Sequence, residues 1–166
     1  MATPKRVGLI GVGLMGHGIG KNILGKGYAL NVLANRNRGP VDDLVGKGAK
    51  ELKSPRDIAA ESDMVLTVVG NSTQLEDIVF REDGLLAGVH AGLVLADCTT
   101  AMPDSTLKIA KAIQAKGGRF VDTPMTRTPK EAEAGKLGLM TGGDPAVIAE
   151  IRPVLECFSD LIVHCG

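Results

Sequence analysis

Val7-Gly8-Leu9-Ile10-Gly11-Val12-Gly13-Leu14-Met15-Gly16 joins an apolar, strand-like run to a helical one through glycines spaced G-x-G-x-x-G. That spacing suits a dinucleotide. Gly11 can take a tight turn, Gly13 lets backbone approach a pyrophosphate, and Gly16 lets the following helix lie close to the strand. The N-terminus of such a helix offers unpaired N–H groups and the positive end of its dipole to phosphate. Gly11, Val12, Gly13, Leu14, Met15 and Gly16 are therefore the expected first cofactor contacts.

Outward from this turn, short aliphatic runs alternate with amphipathic ones, the pattern of β-α-β units on a parallel sheet. Strands are expected at 6–10, 30–34, 64–69, 93–97, 120–122, 137–141 and 161–164. Helices are expected at 16–26, 41–45, 55–60, 73–80, 103–115 and 145–158. Ser54-Pro55 and Asp144-Pro145 each place a capping side chain before a proline at the first helical position. Gly25-Lys26-Gly27 and Lys116-Gly117-Gly118 supply glycines where helices should end. No repeat or linker interrupts the pattern, so residues 1–166 read as one α/β domain: a Rossmann-type, doubly wound, mostly parallel sheet flanked by helices.

The chain has 166 residues, 44% of them hydrophobic, with 19 basic and 19 acidic side chains. One domain can bury a good core at this length, and the balanced charge gives no general field for nucleic acid or an anionic membrane. With no Trp, one Tyr and three Phe, the stacking platforms of single-strand binders are missing. Cys98, Cys157 and Cys165 are odd in number and lack C-x-x-C spacing, which suggests neither a disulfide framework nor a zinc site and fits a reducing, cytoplasmic setting best. No stretch reaches transmembrane length.

The end of the second strand selects between nicotinamide dinucleotides, because an acidic residue there accepts hydrogen bonds from the adenosine ribose. Here it runs into Asn35-Arg36-Asn37-Arg38, with no carboxylate before Asp42. A guanidinium can grip a 2′-phosphate with forked, charge-assisted hydrogen bonds, and Asn35 can add its amide. NADP is favoured over NAD, with Arg36 the stronger candidate; the alternative is that Arg36 and Arg38 are ordinary solvated loop arginines.

Three ordered blocks resemble the β-hydroxyacid dehydrogenases, the family of 3-hydroxyisobutyrate dehydrogenase, tartronate semialdehyde reductase and the cofactor domain of 6-phosphogluconate dehydrogenase. They are the glycine turn followed by Lys21-Asn22-Ile23-Leu24; Asp97-Cys98-Thr99-Thr100-Ala101-Met102-Pro103; and Asp122-Thr123-Pro124-Met125 through Gly135-Lys136-Leu137 to Gly142-Gly143. The resemblance implies an oxidoreductase moving a hydride between NADP and a small anionic hydroxyacid or its aldehyde. It implies that Val69, Gly70 and Asn71 line the cofactor and that Thr99 and Thr100 lie near the nicotinamide ribose and amide. Capping of the helix at Pro103 is an equally compatible role for those threonines.

The chain departs from that family in two places. The Ser-Gly-Gly whose hydroxyl and N–H groups bind a substrate carboxylate is replaced by Thr126-Arg127-Thr128. Arginine there supplies a planar, permanent cation, resembling the Arg-Thr of sulfolactaldehyde reductases, and suits a sulfonate, carboxylate or phosphate. Alternatively Arg127 reaches Glu131 or Glu133. In the second departure, the resemblance implies an all-helical domain opening with G-x-G...K-x-x-N, whose lysine is the acid–base group, and that lysine is expected beyond Gly166. No catalytic residue is then expected within 1–166, which would bind nucleotide without efficient turnover, and the parent would assemble through the helical domain. Lys130 sits in a charged stretch read as solvated. His17 is expected near the pyrophosphate, and it, His90 and His164 are not read as the general acid–base, since a lone histidine usually has a bland role. The competing readings are a non-enzymatic NADP-binding or assembly module and an imine reductase, the latter disfavoured by the cation at 127.

Overall fold

The computed structural model describes residues 4–166. In chain order it contains β1 (Arg6–Ile10), α1 (Leu14–Gly25), β2 (Ala29–Leu33), α2 (Gly39–Gly46), β3 (Lys50–Leu52), α3 (Pro55–Ala60), β4 (Met64–Thr67), α4 (Ser72–Phe80), α5 (Leu85–Gly88) and β5 (Val94–Asp97). Then follow α6 (Pro103–Ala115), β6 (Arg119–Asp122), β7 (Met125–Thr126), α7 (Pro129–Glu133), β8 (Leu137–Thr141), α8 (Pro145–Leu155) and β9 (Ser159–His164). The first six strands form one parallel sheet ordered β3-β2-β1-β4-β5-β6. This is the Rossmann order, and the strand order reverses between β1 and β4, which run parallel, so a crevice opens beyond their carboxyl ends.

Alternation along the strands fills both faces of the sheet. Val7, Leu9, Met64, Leu66, Val94 and Ala96 join Ile19 and Ile23 of α1, Leu44 of α2 and Ile151 of α8 in one core. Ile10, Val65, Leu93 and Leu95 point the other way, to Ile58 of α3, Leu75 and Val79 of α4, and Ile109 and Ile113 of α6. Period-two burial on both sides makes these strands nearly continuous hydrophobic runs, as covered parallel strands must be. The Ser54-Pro55 and Asp144-Pro145 helix starts form as expected: the Ser54 hydroxyl accepts from the Asp57 N–H at 3.1 Å, and the Asp144 carboxylate from the Ala146 N–H at 2.8 Å. Gly27 and Gly117 follow their helices with φ of +86° and +82°.

The strands at the carboxyl end depart from the expected single sheet. β8 and β9 build a second, three-stranded sheet with β7, in which β7 runs antiparallel to β8 and β9 parallel to it. Among the described residues, the pairing that joins it to β6 is an isolated antiparallel bridge between Asp122 and Gly142. The two residues of β7 are too short to show alternation, so the reversal left no periodic signal. The same reason hides β3, a three-residue edge strand with two charged, exposed members. Likewise α5 has four residues, and α7 is one short turn of helix in the segment read as solvated.

Candidate functional site

The crevice at the β1–β4 reversal is a cleft of about 440 Å³, lined by Gly11, Gly13, Leu14, Met15 and Gly16 from the β1–α1 turn. Val68, Val69 and Gly70 after β4, Cys98 and Thr100 after β5, and Met125 and Arg127 around β7 complete it. A second groove of about 610 Å³ in the same region holds Asn35 and Arg36, and shares Gly11 and Val69 with the first. The two are therefore continuous across the glycine turn.

The three glycines are constrained differently. Gly11 has φ +102°, and a Cβ there would lie 2.0 Å from the Val68 carbonyl oxygen. At Gly16 a Cβ would lie 2.0 Å from the Gly11 carbonyl oxygen. Both are fixed by the protein's own backbone. A Cβ on Gly13 would meet nothing within 4 Å, so the side-chain position there faces open space. It is also the N-cap of α1 and makes no side-chain cap bond. The first intrahelical bond is from the His17 N–H to the Gly13 carbonyl at 3.0 Å, which leaves the N–H groups of Leu14, Met15 and Gly16 ahead of the ladder. A cradle with an open glycine and three such N–H groups fits a pyrophosphate.

The other expected residues divide. Val12 is buried in the core, so it can offer only backbone. Asn71 is the N-cap of α4, its side-chain oxygen accepting from the Gln74 N–H at 2.9 Å. Thr99 is 2% exposed, and its hydroxyl accepts from the Val69 N–H at 3.3 Å. It thus braces the β4 loop from within the wall, while Thr100 is exposed in the cleft. Neither threonine caps α6, whose N-cap is Met102, with the Met102 N–H donating to the Ser72 hydroxyl at 2.8 Å.

The two arginines after β2 separate cleanly. Arg38 is tied to Asp42 at 3.0 Å and to Glu51 at 2.9 Å; the Glu51 and Asp42 carboxylates raise its pKa, and the Arg38 guanidinium holds Glu51 low. Arg36 makes no such pair among the described residues and lines the groove. Opposite it stand Thr73, Gln74, Asp77, Ile78 and Arg81 of the α4 region. Sequence reasoning missed these, although the shared β1–β4 crevice could have placed the first turns of α4 against the end of β2.

Arg127 adopts φ +79°, the left-handed backbone that glycine favours. Its Nη1 donates to the Lys136 carbonyl and to Asp160 Oδ1 at 2.6 Å. The pairing with Glu131 or Glu133 does not form: Glu131 accepts from the Thr128 N–H and hydroxyl, and Glu133 is held by α1. Arg127 Nε and Nη2 carry no partner among the described residues, and the residue borders the cleft. The Thr126 hydroxyl lies 3.4 Å from the Gly138 carbonyl, and Thr128 is spent as the cap of α7.

Beneath the cleft, burial pushes the Asp97 carboxyl up, opposed by hydrogen bonds from Thr99 and Thr67. Its Oδ1 accepts from the Thr67 hydroxyl at 2.8 Å and the Thr99 N–H at 3.0 Å. Burial also pushes the Cys98 thiol up to about 12, so this cleft-lining residue is a neutral wall and no nucleophile. His17 is not turned toward the glycine cradle as expected; its ring bridges Asp43 of α2 and Glu133 of α7. His90 and His164 bond the carbonyls of Ser62 and Gly143. No helix among the described residues is long and apolar enough to cross a membrane.

The six-stranded order and the glycine cradle define the class: a Rossmann-type α/β domain with a dinucleotide-shaped crevice. The family model for the NAD binding domain of 6-phosphogluconate dehydrogenase matches residues 6–166. The chain belongs to the β-hydroxyacid dehydrogenase family. It is 35% identical over 162 residues to the NAD-dependent L-serine dehydrogenase of Pseudomonas aeruginosa, covering 98% of this chain and 54% of that protein. The Mycobacterium tuberculosis 3-hydroxyisobutyrate dehydrogenase solved with L-serine superimposes with TM-score 0.88 at 25% identity, over 100% of this chain and 55% of that one. A structure described as Psf3 in complex with NADP+ and 2-OPP gives TM-score 0.89 at 27% identity, over 96% and 56%. The chain thus spans about half the length of the curated relatives it matches.

Proposed function

We propose that these residues form the cofactor domain of an NADP-dependent oxidoreductase acting on a small anionic β-hydroxyacid or its aldehyde. The observation that carries this reading is the continuity of the cleft, from Arg36, across the Gly11 to Gly16 cradle, to Thr100, Met125 and Arg127. In it the α1 N-terminus holds the pyrophosphate, Arg36 with Asn35 grips the adenosine 2′-phosphate, and Val69 and Gly70 border the dinucleotide. The nicotinamide end lies toward Thr100 and Met125, beside Arg127. When bound, the nicotinamide supplies or accepts the hydride.

Arg127 is our candidate anchor for the substrate's acid group, with its Nε and Nη2 donors turned to the anion and Asp160 steadying Nη1. Thr126 adds a hydroxyl at the same turn. We assign the proton transfer at the substrate oxygen to the lysine of the family's helical domain, outside these 166 residues. The NAD-dependent name of one relative and the NADP+ complex of another leave cofactor choice to the chain's own residues. Here the missing carboxylate and the uncommitted Arg36 favour NADP.

Fluorescence titration tests this. NADPH is expected to bind at least about tenfold tighter than NADH, and Arg36→Ala to remove most of that margin, since charge-assisted hydrogen bonds contribute about 1.5–3 kcal/mol. NADH binding tighter than NADPH would overturn the role of Arg36.

A further inference from the structure

The segment carrying Arg127 is held onto the cofactor helix by a compact charged junction. His17, one residue beyond the last glycine of the cradle, places Nε2 2.7 Å from Asp43 of α2 and Nδ1 3.0 Å from Glu133 of α7. Lys47 also binds Asp43, and Lys21 also binds Glu133. Those lysines hold both carboxylates below their ordinary range, with His17 adding to the effect. The strands under α1 bring no competing charge: β2 carries no ionisable side chain, and the only one in β1, Arg6, is paired with Asp63. Asn22 adds its amide, donating to the Ala132 carbonyl at 2.9 Å.

An ionised carboxylate only accepts hydrogen bonds, so both contacts form together only when both ring nitrogens carry protons. A neutral imidazole keeps one N–H and turns a lone pair on the other carboxylate. The Asp43 contact is the shorter, so the contact given up is the one to Glu133, at the end of the short helix that begins two residues after Arg127.

We infer that His17 is a pH-responsive positioning residue, whose imidazolium tightens α7 and the Arg127 turn onto the cofactor helix and whose neutral form gives up the Glu133 contact, leaving α7 to Lys21 and Asn22. If Arg127 anchors the substrate, as proposed above, affinity for the anion falls as pH rises through the His17 titration.

The test is an NMR titration of the 166-residue chain between pH 5 and 9, following the His17 ring, the Arg127 Nε–H and the amides of residues 128–133. It needs no nucleotide or substrate, so its outcome is independent of the NADPH titration. The α7 amides and the Arg127 Nε–H should shift with the same midpoint as the His17 ring, and His17→Gln should flatten that response. In Glu133→Gln the ring midpoint should move to lower pH, because an anion that favours the imidazolium is gone and Lys21 is left unneutralised. Amides that are pH-invariant, that titrate at another midpoint, or that respond unchanged in His17→Gln would overturn this role. An unmoved ring midpoint in Glu133→Gln would also overturn it, which keeps the test decisive even if the histidine variant folds poorly.

Discussion

At the scale of single residues, Gly11 and Gly13 carry the same side chain for different reasons. Gly11 is demanded by a positive φ and by the Val68 carbonyl, so Gly11→Ala should lose stability on the order of 1–3 kcal/mol from the backbone alone, with the clash added. The side-chain position of Gly13 has open space around it, and Gly13→Ala should cost under about 1 kcal/mol, mainly through a poorer helix cap. Its effect should fall on nucleotide binding, where a methyl occupies the approach to the phosphates. Urea unfolding of both variants beside NADPH titration of Gly13→Ala checks this; a strongly unstable Gly13→Ala would show that the glycine is structural. Arg127 is the converse case, an arginine in a backbone conformation suited to glycine.

Among elements, α7 shows how a short segment takes its shape from its neighbour. Its five residues, Pro-Lys-Glu-Ala-Glu, are mostly charged and hold no periodic apolar face. What fixes it is α1: a Cβ on Gly18 would come within 2.6 Å of the Glu133 backbone nitrogen and 2.7 Å of the Ala132 carbonyl carbon. Gly18→Ala gains about 1 kcal/mol of helix propensity and loses about 1–3 kcal/mol to overpacking against backbone that cannot rotate away. A net loss of stability by chemical denaturation is expected, together with altered amide shifts in α7. A denaturation midpoint at or above that of the unsubstituted chain would mean that α7 yields freely. Asn22 belongs to the same contact, which gives a physical role to a residue that the sequence offered only as part of a family motif.

For the whole molecule, stability should depend on acid through pairs that tie distant segments. Burial raises the Asp63 carboxyl, but the Arg6 guanidinium and the N–H groups of Arg6 and Lys5 outweigh it and hold Asp63 below its ordinary value. A carboxylate depressed in the folded state stabilises above its unfolded pKa, about 3.9, and loses that contribution as pH falls through the folded value. Asp63→Asn should therefore lose less stability than the unsubstituted chain between pH 5 and pH 3 in urea unfolding. Equal losses would show that the Arg6 pair contributes nothing to the fold.

Much of this architecture was legible along the chain because its signals are local. The glycine turn, the Ser54 and Asp144 caps, and the alternation in β1, β4 and β5 each lie within a few residues, and with the ending of β2 they determined a Rossmann-type domain and its cofactor crevice. The tertiary structure decided what depends on segments meeting in space. It showed that Arg38 is consumed by Asp42 and Glu51 while Arg36 is left to the groove, that Arg127 rests on Asp160, and that Thr99 braces the wall instead of lining it. His17 meets partners 26 and 116 positions away. No local pattern encodes such pairings, because a charged side chain's partner is set by which elements the two cores and the second sheet bring within hydrogen-bond reach.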